Sequence, residues 1–162
     1  MSDRVPMTAW GLRKLQDELK QLISVERPKI SGEIEVARAH GDLRENAEYH
    51  AAKEKQGHIE GRISDINGFI ARAEIIEIAK FKGSNDVKFG ATVELLDLET
   101  DKKVMYRILG EIEADLKKRW ISINSPVARG LIGKKVGDTV TINSPGGVKE
   151  YDVLKVTYED VE

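Results

Sequence analysis

AHGDLRENAEYH, residues 39–50, sets a glycine and two acidic residues, Asp42 and Glu45, between two long helical patterns. Upstream, TAWGLRKLQDELKQLI (8–23) spaces Leu12, Leu15, Leu19 and Leu22 by alternating threes and fours, the seam of a coiled coil. Thr8 is placed to cap that helix. The stripe resumes at Ile30, Ile34 and Ala37 beyond Pro28. The ring and missing N–H of that proline predict a kink or local loosening without necessarily ending the helix. Downstream, Ile59, Ile63, Ile66, Ile70 and Ala73 repeat the spacing. One short turn joins two such seams only if the helices run antiparallel, so the pattern predicts a hairpin with HGD at its tip. Arms of about 30 residues would each reach roughly 45 Å.

Past AKFKGSNDVKFG, whose Gly83, Ser84, Asn85 and Asp86 read as a linker, the period becomes strand-like. ATVELLDL, KVMYRIL, WISIN, TVTIN and KEYDVLKVTY are rich in Val, Ile and Tyr, partly alternate, and are separated by turn residues. Between them NSPVARGLIGK offers Ser125 as N-cap, Pro126 at the first helical position and Gly130 or Gly133 as a stop, which predicts one short helix. The fold class is therefore α + β. Residues 1–79 form the helical hairpin, with its acidic tip at 40–46, and residues 80–162 a small antiparallel α+β domain. INSP occurs twice, at 123–126 and 142–145, too briefly for a structural repeat; its second copy opens SPGG, a hairpin turn. GLIGKK lacks the spacing and the hydroxyl residue of a phosphate loop.

Composition narrows the function. The chain has 162 residues, 40% hydrophobic and 33% charged, with a mean hydropathy of -0.40. That suffices for a modest core and leaves no run of the roughly 18 apolar residues a membrane span needs. MSDRVPMTAW lacks the basic-then-apolar order of a signal peptide, so a cytoplasmic location is expected. Without cysteine there is no disulfide framework or thiolate metal site, and His40, His50 and His58 do not have zinc spacing. Divided near residue 79, the first part holds 12 basic and 14 acidic residues and the second 14 of each. Neither half carries a field that would steer it to DNA, so any polyanion contact is local.

At the tip two readings compete. Asp42 followed by Glu45 matches a capping box, in which the first side chain accepts from the helix backbone and the second reaches back. Alternatively, a carboxylate pair at the end of a rigid arm is available for delivery elsewhere. Two hard oxygen donors would complete the shell of a Mg²⁺ whose other ligands come from water, phosphate or another protein. Nearby Arg38, Lys53 and Lys55 are either a solvated face, with helix pairs such as His50 to Glu54, or groups suited to a phosphate backbone.

These residues carry a resemblance. MTAWGLRKLQDEL, RPKI, ARAHGDLRENAEYHAAKEKQGHIEGRI, FGATVEL, YRILGEIEAD, INSPVARGLIGKKVGD and SPGGVKEYDVLKV together resemble the Gre family of bacterial transcript cleavage factors, nearly end to end. The resemblance implies an N-terminal antiparallel coiled coil and a C-terminal domain similar to the FK506-binding-protein fold. It implies that the globular domain docks on RNA polymerase while the coiled coil enters the secondary channel, where the stalled, backtracked enzyme cleaves its own transcript. The chain is then not itself an enzyme and has no cofactor of its own. Asp42 and Glu45 match the tip acids that act in trans and share Mg²⁺ only within the polymerase complex. Arg38 and Lys53 match the basic patch that meets the 3′ end of the backtracked RNA. Lys53 stands where the family pattern suggests arginine, and lysine keeps the charge without the fork geometry. His58 and Ile59 depart from a pattern that carries an aromatic residue first.

Two rivals follow from the same resemblance. A channel-binding inhibitor of the polymerase would carry a tip more densely acidic than GDLREN, where Arg44 intervenes. A peptidyl-prolyl isomerase would use Trp120, Tyr106, Tyr151 and Phe89 to line a proline pocket, but fold alone does not carry function.

Overall fold

The computed structural model describes residues 3–42 and 44–161. The described chain forms two compact units, Leu12–Ala73 and a second made of the chain up to Gly11 together with Glu74 onward.

The first unit is the helical hairpin. Helix α1 (Ala9–Gln21) passes through a π-helical turn, Leu22–Glu26, into α2 (Arg27–Arg38), and α3 (Ala47–Ala71) returns antiparallel. Thr8 caps α1 as its sequence suggests, its hydroxyl accepting from Gly11 N–H at 3.1 Å. Ile30, Ala52, Ile59 and Ile63 are buried along the seam, with Leu19, Leu22 and Ile34 packed against them.

Pro28 acts through the turn before it. In a regular helix its ring would strike the Ser24 carbonyl and it would have no N–H to donate. Here Arg27 N–H instead bonds the Leu22 carbonyl, five residues back. A π turn accommodates about one extra residue. After Leu15 and Leu22 a strict heptad calls for position 29, and the buried residue is Ile30. The inserted residue and the slip in the seam match, so both halves of the first arm turn their apolar stripe to α3.

Two bidentate ion pairs brace the arms. Arg62 donates to Glu18 through Nε at 2.5 Å and a terminal nitrogen at 2.8 Å. Arg27 does the same to Glu60 at 2.9 and 2.7 Å. The hydrogen bonds from Arg62 hold the Glu18 carboxyl below its usual range.

The second unit is built on a five-stranded sheet in the order β5-β4-β3-β7-β6. Its strands are β3 (Ala91–Asp97), β4 (Lys103–Leu109), β5 (Trp120–Ser122), β6 (Thr139–Ser144) and β7 (Gly147–Tyr158). Three of its pairings are antiparallel, but β5 lies parallel to β4, with Ile108 opposite Ile121. A strand of three residues carries no sign of its partner's direction, so this edge makes the domain mixed where the sequence suggested antiparallel. Val93, Leu95, Ile108, Val140 and Val153 fill the core with Leu131 of α4 (Pro126–Leu131). Ser125 caps α4, its hydroxyl accepting from Ala128 N–H at 3.2 Å, and Gly133 follows at φ 85°.

The segment expected as a linker is hydrogen-bonded into this unit. Val136 N–H donates to Asn85 O at 3.1 Å and Val87 N–H to Lys134 O at 2.8 Å. Two further short strands, β1 (Val5–Met7) and β2 (Ala73–Ile75), pair with each other. Beside β1 lies a group the sequence does not announce, the Glu113 carboxylate, 2% exposed. It accepts from the Thr8 hydroxyl and backbone and from Gly110 N–H. Burying a polar group is costly unless it is hydrogen-bonded, and these donors meet that requirement.

Candidate functional site

The hairpin turn is assembled from its ends inward. The last turn of α2 closes with His40 N–H on Ala37 O at 3.1 Å and Gly41 N–H on Arg38 O at 3.3 Å. Gly41 then takes φ 113°, a region closed to side chains, and the chain reverses. Asp42 follows in an Asx turn, its Oδ1 accepting from Arg44 N–H at 2.9 Å.

Helix α3 does not begin where the capping-box reading places it. Its N-cap is Asn46, whose side-chain oxygen accepts from Tyr49 N–H at 3.0 Å. The Asn46 amide also donates to Ala37 O at 2.6 Å, tying the end of one helix to the start of the next. The capping box is therefore overturned: Asp42 and Glu45 both precede the cap, and neither caps α3. The usable signal was Asn46 itself, a preferred N-cap residue with Glu48 in the first turn behind it.

Released from capping, both carboxylates are exposed. Asp42 keeps Oδ2 free of the Asx turn, and among the described residues Glu45 has no hydrogen bond or ion pair. With Glu48, Asn46, Ala47 and His40 they line one shallow recess of about 470 Å³. Glu48 is engaged by His40, Oε2 to Nε2, at 3.7 Å. Among the described residues no group of three or more histidine or acidic side chains is arranged to hold a metal ion. The donor set suits a hard cation such as Mg²⁺ only as a partial shell, completed from outside.

The basic candidates do not line this recess. Arg38 ends α2, is exposed, and makes no ion pair among the described residues. Lys53 is exposed on α3 and donates to Gln56 Oε1 at 3.0 Å. Two expected helix contacts differ. His50 Nε2 meets Arg44 O at 2.9 Å rather than Glu54, and Glu54 instead faces His58 at 3.8 Å. Ile59 is buried in the seam, whereas His58 is exposed.

The aromatics that an isomerase would need, Tyr106 among them, lie in or against the core of the second unit. Phe89 and Tyr151 are buried, and Trp120 packs edge-on against Trp10 with ring centroids 5.5 Å apart.

Comparison with known proteins gives this geometry a context. Residues 5–75 match the family described as Transcription elongation factor, N-terminal, and residues 82–158 the one described as Transcription elongation factor, GreA/GreB, C-term. The chain is 60% identical to Transcription elongation factor GreA of Anaeromyxobacter sp. (strain K), across 98% of this chain and 95% of the relative. It is 54% identical to the GreA of Xylella fastidiosa (strain 9a5c), across 96% and 98% of the two chains. A crystal structure of GreA factor homolog 1 (Gfh1) of Thermus thermophilus aligns with 94% of this chain and 98% of that chain, at 26% identity and a TM-score of 0.43. Matched along both of its halves and at more than half its positions over nearly its whole length, the chain belongs to the GreA/GreB family of transcription elongation factors.

Proposed function

We propose that this elongation factor binds bacterial RNA polymerase, places its hairpin in the secondary channel and stimulates the polymerase to cleave backtracked transcripts. The observation that carries this reading is the exposed pair Asp42 and Glu45, held at the turn by Gly41 and Asn46 and not consumed in capping a helix. The catalyst remains the polymerase, and the chain works where the polymerase does, in the cytoplasm.

Asp42 is the residue that would hold a shared Mg²⁺, through the oxygen its Asx turn leaves free. In two-metal phosphoryl chemistry such an ion stabilises the attacking and leaving oxygens. Glu45, without an internal partner among the described residues, orients the attacking water and takes its proton. Arg38 and Lys53 supply cations for the extruded RNA 3′ end. The lysine contributes a point charge rather than a fork, so its contact fixes the phosphate less tightly than arginine would.

The test is a stalled bacterial elongation complex with Mg²⁺, followed by transcript length. Wild-type protein is expected to shorten the RNA from its 3′ end and restore elongation. The double variant Asp42→Asn, Glu45→Gln is expected to bind polymerase and release no fragment. Undiminished cleavage with that variant would reject the role of the carboxylates, and slowed elongation without cleavage by the wild type would favour a channel-binding inhibitor.

A further inference from the structure

The loop between Asp115 and Trp120 takes no part in the tip chemistry, yet it is built to hold side chains outward. Its ends exchange two backbone hydrogen bonds, Asp115 N–H to Trp120 O at 2.8 Å and Trp120 N–H to Asp115 O at 3.0 Å. Inside it, Asp115 Oδ1 accepts from Lys117 N–H at 3.1 Å, and Lys118 and Arg119 N–H bond the Asp115 and Leu116 carbonyls. Arg119 closes the turn at φ 58°, a strained conformation for a residue with a side chain. The base is anchored as well: the Trp120 ring packs on Trp10 and lies 4.5 Å beneath Lys118 Nζ.

On this cross-linked backbone Leu116 faces outward. The side chain is 86% exposed, more than any other large hydrophobic among the described residues. Lys117 and Arg119 flank it, exposed and without an ion pair among the described residues. The one acid of the loop, Asp115, spends its carboxylate on the loop's own backbone. An isolated exposed leucine needs no explanation. One held on a strained, cross-linked loop and flanked by free cations is arranged for a complementary surface.

We infer that this loop is a docking knob for an acidic protein surface with an apolar notch, Leu116 entering the notch while Lys117 and Arg119 meet carboxylates at its rim. A nucleic-acid backbone fits less well, because its phosphates offer the exposed leucine nothing. The inference rests on the reading that the chain binds RNA polymerase, whose surface would carry the notch.

The test measures association of the full-length protein with core polymerase and, separately, with a labelled single-stranded RNA. Leu116→Ser is expected to weaken polymerase binding by on the order of tenfold, mainly through faster dissociation, with Leu116→Met restoring it. Lys117→Glu with Arg119→Glu is expected to slow association and flatten its salt dependence. Circular dichroism confirms that each variant is folded. Wild-type affinity in both loop variants, or a loss confined to RNA, would overturn the assignment while leaving the cleavage reading intact. Absence of polymerase binding by the wild type would overturn both.

Discussion

The Asn46 side chain bridges the hairpin turn, donating to the Ala37 carbonyl at 2.6 Å and accepting from Tyr49 N–H at 3.0 Å. One amide thus gives the Ala37 carbonyl a second donor beside His40 N–H and satisfies an orphan donor at the start of α3. Asn46→Ala removes both and should cost about 1–2 kcal/mol. Asn46→Asp keeps the cap but cannot donate to Ala37, so it should fall between. Urea unfolding of the three proteins checks the order.

Asp42 offers a way to separate charge from turn geometry. In Asp42→Asn the amide oxygen can still accept from Arg44 N–H, so the turn survives without the charge; in Asp42→Ala both are gone. If the charge is what the polymerase uses, the two variants lose stimulated cleavage to a similar extent. A large loss with alanine alone would mean that Asp42 only shapes the turn. Glu45→Gln should lower the cleavage rate on the order of a hundredfold.

The Glu18–Arg62 pair makes a pH-dependent contribution to the hairpin. Its hydrogen bonds lower the folded-state pKa of Glu18, so the stabilisation is present above the ordinary glutamate range and is lost as pH falls through the depressed value. Both side chains are about two-fifths exposed, 41% and 42%, which limits the effect to below about 1 kcal/mol. Wild type should exceed Glu18→Gln in stability at pH 7, and the gap should close toward pH 3. A double-mutant cycle with Arg62→Met isolates the pair.

Gly110 meets the chain too closely for any side chain. A Cβ there would lie 2.3 Å from the Pro6 carbonyl oxygen, backbone that cannot turn aside. Gly110→Ala should push β1 outward and destabilise the globular unit by about 2–3 kcal/mol, visible as a lower Tm.

The π turn before Pro28 can be removed with its cause. Deleting Val25, an exposed residue, together with Pro28→Ala brings Leu15, Leu19, Leu22, Ile30, Ile34 and Ala37 into one unbroken heptad. That variant should be at least as stable as the wild type, with helical circular dichroism preserved. Pro28→Ala without the deletion should retain the π turn, because the phase of the seam still requires the extra residue.

The hairpin, the Thr8 and Ser125 caps and the alternation of the strands were legible because each is a local pattern, decided by residues three or four apart or by a period of two. The side of the tip on which α3 begins was not, since Asp42, Glu45 and Asn46 all have capping chemistry and only the bond from Asn46 to Ala37 selects among them. The parallel edge strand, the bonding of residues 85–87 to 134–136, and the buried Glu113 depend on partners beyond the reach of any local pattern.

Sequence by itself determined a seam, a turn and a pair of acids at that turn, because apolar periodicity and glycine act over single turns of backbone. Tertiary structure alone decided that those acids are exposed rather than spent as caps, and that Leu116 is held outward. Both outcomes depend on which of several competing carbonyls and side chains satisfies the neighbouring backbone, Asn46 on Ala37 in one case and Asp115 on Trp120 in the other. No apolar spacing along the chain records that choice.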